Sequence, residues 1–226
     1  MPDRRLHLTL ALLALPALAT AAPRINELRI DQPAVDVDEY VELSGPPGES
    51  LDGYWYLVIG DGVGEDAGVV EAAVDLSAYA IGADGFVSFG EDATVPCGEI
   101  DVVLPDALNF EDSDNVTHML VEGFTGQLDD DLDDDDDGVL DVEPWLAVTE
   151  CLALIETPLS GDPVYCDERL GPAGPFLPVH AVRCGPGWGI GDFAVCGLDT
   201  PGGANDSACE VPAERSSWGA IKASYR

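Results

Sequence analysis

Residues 54–62 read YWYLVIGDG, an aromatic and β-branched run that stops at a Gly-Asp-Gly turn. Side chains of this kind fit the pleated, half-buried surface of a strand, and glycine and aspartate end it. The same grammar extends outward. RINELRI (24–30) and EYVELSG (39–45) alternate apolar and polar residues, and turn clusters such as SGPPGESLDG and IGADG separate the segments. VVEAAVDL, GFVSFG, DVVLP, THMLVEGF and FAVCGL continue the pattern downstream. WLAVTECLALIE (145–156) has a length and spacing open to helix or strand, and strand is the expectation. Many short strands between turn signals predict an all-β sandwich or barrel. No internal repeat is visible. Residues 161–213 are rich in Gly, Pro and Cys and read as a loop-rich, disulfide-held C-terminal part; within them GPGWGIG (185–191) misses dinucleotide-binding spacing and reads as a loop.

The first 22 residues stand apart from the fold. Arg4 and Arg5 precede an apolar run, LTLALLALPAL (8–18), and then ATAAP. The run is too short to span a bilayer and has the small residues a signal peptidase reads, so it is a secretory signal peptide cut after Ala21 or Ala22. The expected location is secreted or at the cell surface, with no membrane span. Cleavage removes two of the nine basic and one of the forty-four acidic side chains, leaving a formal charge of −36. No Lys or Arg occurs between Arg29 and Arg169. Such a surface repels nucleic acid, whose binding needs basic groups, and attracts divalent cations.

Six cysteines, Cys97, Cys151, Cys166, Cys184, Cys196 and Cys209, follow the signal. An even count in an exported chain predicts up to three disulfides, in any of fifteen full pairings. Zinc would call for paired CxxC spacing, which is missing.

INEL (25–28), DEYVEL (38–43) and LDGYWYL (51–57), in this order, together with DTPGGAN (199–205), resemble the opening and closing motifs of the lamin-tail domain family. Residues 109–145 resemble an insertion in secreted bacterial relatives. The resemblance covers about residues 24–205 and implies an immunoglobulin-like β-sandwich in a binding or scaffold module. The domain division is then a signal peptide (1–22), a sandwich (23–205) with an acidic insertion at about 126–145, and a C-terminal tail (206–226). Glu27, Glu39 and Glu42 are expected to be outward positions of alternating strands, and Trp55 a core residue.

The insertion contains LDDDLDDDDDGVLDVEPW (128–145), eight aspartates around Leu132. Calcium loops alternate oxygen ligands and turn at a glycine. Asp133, Asp135 and Asp137 supply positions one, three and five, Gly138 the turn, the Val139 carbonyl position seven and Asp141 position nine. Leu140 is placed to pin the loop to a core. Position twelve is Pro144 where a bidentate Glu is expected, so the predicted calcium site is weak. The alternative is a solvated charge run.

His118 and His180 lie beside no recognisable nucleophile, and GxSxG, HExxH and phosphate-loop motifs are missing. The leading expectation is a non-enzymatic exported module that binds calcium and associates with an unknown protein or a surface polysaccharide. The alternative is a secreted hydrolase, nuclease-associated or carbohydrate-active, using paired carboxylates. NVT (115–117) and NDS (205–207) match glycosylation sequons, and SSWGAIKASYR (216–226) resembles a sorting or docking tail.

Overall fold

In a computed structural model, the described residues are 21–31, 39–60, 67–92, 98–105, 107–108, 110, 114–158, 163–193 and 198–209. Residues 1–20 of the signal peptide, Cys97, Cys196, most of FAVCGL and the tail beyond Cys209 lie outside them.

The chain is an all-β sandwich of two sheets. The first sheet holds β1 (Arg24–Arg29), β2 (Tyr40–Ser44), β5 (Phe86–Gly90), β6 (Val102–Val103), β10 (His180–Cys184) and β11 (Gly187–Ile190), in the order β11-β10-β1-β2-β5-β6. The second holds β3 (Tyr54–Gly60), β4 (Val69–Asp75), β7 (Val116–Glu122), β8 (Ala147–Leu154) and β9 (Arg169–Leu170), in the order β4-β3-β7-β8-β9. Pairing is antiparallel except for β5–β6 and β8–β9. One short helix, α1 (Asp206–Cys209), follows. No helix among the described residues is long and apolar enough to cross a membrane.

Alternation decides the interior. Ile25, Leu28, Val41, Leu43 and Phe89 of the first sheet meet Tyr56, Val58, Val74, Leu120 and Leu152 of the second in one core. A bulge in β1 between Ile25 and Glu27 resets the parity, so Ile25 and Leu28 both point inward although they are three apart. WLAVTECLALIE forms β8, as expected. Two disulfides join Cys151 to Cys166 and Cys184 to Cys209, across loops of 15 and 25 residues.

Two expectations are corrected. GPGWGIG contains a strand: β11 returns along β10 through a tight Gly185–Pro186 turn, with Gly185 at φ 62°. Glycine weakens strand propensity, but pairing with β10 and the stacking of Arg183 over Trp188 (4.2 Å to the ring centroid) outweigh it. Glu27, Glu39 and Glu42 are not outward-solvated; they are 0–1 % exposed. Glu27 and Glu42 lie on the outer face of the first sheet, which is covered, whereas Glu39 has the parity of Val41 and Leu43 and meets the core residue Phe110. Trp55 is half-buried against Phe124, with ring centroids 5.3 Å apart.

Candidate metal centre

The second sheet is apolar on its outer side too. Leu57, Ile59, Val70, Met119 and Val121 form a second cluster there, and residues 124–145 lie across it. Leu132, the one apolar residue inside the aspartate run, is 2 % exposed and belongs to this cluster. Leu140 and Trp145 pack beside it. The aspartates therefore flank a hydrophobic plug, and burying the plug is what fixes their backbone.

Backbone bonds sew the loop to the β4 edge. Asp129 N–H donates to Val70 O (2.9 Å), Val70 N–H to Asp130 O (2.9 Å), and Leu132 N–H to Gly68 O (3.0 Å). Asp141 N–H donates to Leu132 O (2.8 Å), which closes the loop. Gly68 is required here: it sits at φ 84°, and a Cβ would stand 2.6 Å from the Asp133 Cβ.

Asp133 is wholly buried. Its Oδ1 accepts from Asp137 N–H (3.2 Å), and its Oδ2 from Gly138 N–H (2.9 Å) and the Tyr165 hydroxyl (2.8 Å). Burial, then the Asp133 carboxylate, push the Tyr165 phenol up, so it stays a proton donor. Carboxylate oxygens of Asp133, Asp135 and Asp141 come within 4.8 Å of one another. Asp137 stands outside that group: its Oδ1 accepts from Val139 N–H (2.9 Å). Val139 is exposed. The Asp135 carboxyl is raised above the usual carboxylate range, chiefly by Asp137, then by slight desolvation and by Asp141 and Asp133. Three hard oxygen donors that repel one another fit a cation such as calcium. Three other aspartates have local tasks. Asp130 Oδ2 accepts from Gln127 N–H, Asp131 Oδ1 from Asp133 N–H, and Asp136 Oδ1 from Ala67 N–H.

A second cluster lies on the outer face of the first sheet. Glu27 Oε1 accepts from the Tyr40 hydroxyl (2.6 Å), Thr200 N–H (3.0 Å) and His180 Nε2 (2.8 Å), and Oε2 from the Thr200 hydroxyl (2.6 Å). Arg29 pairs with Asp199 (2.6 Å). Glu42 accepts from Asn26 and from Gly202 N–H, and Asn205 donates to Asn26 O (2.8 Å). Residues 199–205 thus form a strap over β1 and β2. Glu27, His180 and Asp199 approach as metal ligands do. They do not fit an ion, because both Glu27 oxygens are already taken by donors and Arg29 neutralises Asp199. Burial lifts the Glu42 carboxyl to about 8. The signal for this network was the placing of charged residues at alternate positions of otherwise apolar strands.

Among the other titratable residues, Glu39 accepts from Phe110 N–H. His118 is buried, bonds the Tyr56 hydroxyl (2.6 Å), and is pushed down to about 3 by desolvation. Both sequons are closed in the folded chain: Asn115 Oδ1 accepts from Glu156 and Thr157 N–H, and Asn205 lies in the strap network. Compared with protein-family models, curated proteins and solved structures, the chain matches none.

Proposed function

We propose that this protein is an exported, non-enzymatic β-sandwich module whose acidic loop binds one calcium ion and which acts in association at a surface or outside the cell. What carries the reading is the convergence of Asp133, Asp135 and Asp141 over a loop pinned by Leu132. A diffuse charge run needs neither the plug nor the convergence. Asp137 and the Val139 carbonyl are the further oxygens within reach of small loop adjustments, and water completes the six to eight that calcium takes. Bound calcium removes the mutual repulsion of the carboxylates and ties the lid to the sheet. Two disulfides suit an oxidising compartment.

We further propose that the lamin-tail resemblance reflects one shared structural cluster. The residues that carry the resemblance meet in one place: Asn26, Glu27, Tyr40 and Glu42 from the opening motifs, and Asp199, Thr200 and Asn205 from the closing one. Titration of the metal-free mature protein with calcium, followed calorimetrically, tests the function. The expected result is one site with Kd of about 10⁻⁴ to 10⁻³ M and weaker response to magnesium, which demands a tighter octahedron. Equal, non-saturating responses to both ions overturn it.

A further inference from the structure

A polar cavity of about 400 Å³ opens beside the start of β1. Ala22, Arg24, Thr149, Glu150, Glu168 and Arg183 are among its walls. Two of these groups are already committed to each other. Arg183 pairs with Glu150 and also donates to Ile25 O (2.8 Å), and Glu150 Oε2 accepts from Ile25 N–H (2.6 Å). Two are not. The Glu168 carboxylate makes no ion pair among the described residues, and the Thr149 hydroxyl oxygen is buried with no hydrogen-bond partner. A buried hydroxyl without a partner and an exposed carboxylate on the same cavity wall can both take a small cationic donor.

The chain supplies one by being cut. Hydrolysis of the Ala21–Ala22 amide by a signal peptidase adds water across the C–N bond. Ala21 leaves as a carboxylate, and Ala22 keeps an amine that is protonated at neutral pH. With Ile25 N–H held on Glu150, three residues of chain reach at most about 10 Å, so Ala22 cannot stray far from this wall. In the uncut chain the same nitrogen is a neutral amide with one proton to donate. We propose that signal removal creates a structural group: the new Ala22 ammonium seats in this cavity against Glu168 and the Thr149 hydroxyl, so that only the processed chain has its first sheet fully fastened. The inference rests on the export reading above and not on calcium.

The charged groups facing the amine are Arg24 on β1, Glu150 on β8, Glu168 ahead of β9 and Arg183 on β10. Glu168 and the Thr149 hydroxyl oxygen favour the ammonium, Arg24 opposes it, and Arg183 and Glu150 offset each other; on the proposal contact with Glu168 outweighs Arg24, and the folded-state pKa of the amine is raised. The stabilisation is then fully present below the unfolded amine value of about 7.7–8.0 and is lost as pH rises through the folded value.

The test compares the oxidised chain beginning at Ala22 with the same chain carrying an N-terminal Gly-Ser extension. At pH 6.5 the Ala22 form should melt about 2 °C higher, and at pH 9.5 the two should coincide. Glu168→Gln and Thr149→Val should each erase most of the difference. Equal melting at pH 6.5, or an Ala22 amine that titrates by NMR at its ordinary value, overturns the proposal. So does an intact mass of the exported protein that places its first residue elsewhere, a result that leaves the calcium reading untouched.

Discussion

The two outer faces of the sandwich are both covered, by opposite means. Over the second sheet, Leu132, Leu140 and Trp145 press on Leu57, Ile59 and Met119, and the aspartates other than the buried Asp133 stay at the rim. Over the first, residues 199–205 press on Glu27, Arg29, Tyr40, Glu42 and His180 through hydrogen bonds and one buried ion pair. The acidic segment is held by apolar area, which is tolerant of small shifts. The strap is held by directional contacts, where one missing partner leaves a buried charge alone. The segment that looks most polar in sequence is therefore the hydrophobic lid.

The largest expected effect comes from breaking the strap. Arg29→Met should cost about 4 kcal/mol, because Asp199 loses its partner while staying buried. Urea denaturation checks this, and a cost under 1 kcal/mol would mean that Asp199 escapes to water. Next comes pH. The Glu42 carboxyl lies at about 8 in the folded protein against about 4.5 unfolded, so its contribution is complete below about 4.5 and is lost as pH rises to 8. At 1.36 kcal/mol per unit this is at most about 4 kcal/mol between pH 5 and 8. Glu42→Gln should flatten that part of the pH–stability curve whatever it does to the absolute melting temperature. His118 acts with the opposite sign: its folded value of about 3 makes its contribution complete above about 6.5 and lost as pH falls toward 3.

Leu132→Ala tests the apolar lid and should cost about 2 kcal/mol, at the low end for a buried leucine because a loop can settle into the gap. The same change should weaken calcium binding, since the plug holds Asp133 and Asp141 in register. The smallest effect is the calcium response itself, a stabilisation of about 1–3 kcal/mol at tens to hundreds of Kd. Asp135→Asn with Asp141→Asn should abolish it and leave the calcium-free melting temperature unchanged or slightly higher. Asp129→Asn with Asp130→Asn should spare it. If both pairs weaken binding equally in the calorimeter, the run acts as a diffuse anionic cloud.

The strands were legible because alternation and turn residues are local signals: β1 to β5, β7 and β8 all fall on segments that periodicity marks. The convergence of Asp133, Asp135 and Asp141 was legible, because their spacing and the Gly138 turn are also local. Asp137 was not, because whether its carboxylate turns outward or back to Val139 N–H depends on χ angles that spacing leaves open. The burial of Glu27 and Glu42 was illegible for a different reason. Alternation says which face a side chain takes, but not whether distant chain later covers that face. The strap that covers Glu27 lies 173 residues away. β11 was hidden in glycine, whose strand pairing is imposed by β10 rather than by its own preference.

That separation sets an order of assembly. β1 is the first strand among the described residues, yet the partners of its polar side chains arrive with Thr200 and Asn205, up to 179 residues later. The second sheet can close on neighbours such as β3 with β4 and β7 with β8, through comparatively short loops. The middle of the first sheet cannot be finished until nearly all of the chain is present. Contacts so distant in sequence fold slowly, because loop closure is charged before any contact forms. Cys184–Cys209 then locks the far end of the strap to β10, so the last piece placed is also the one held covalently.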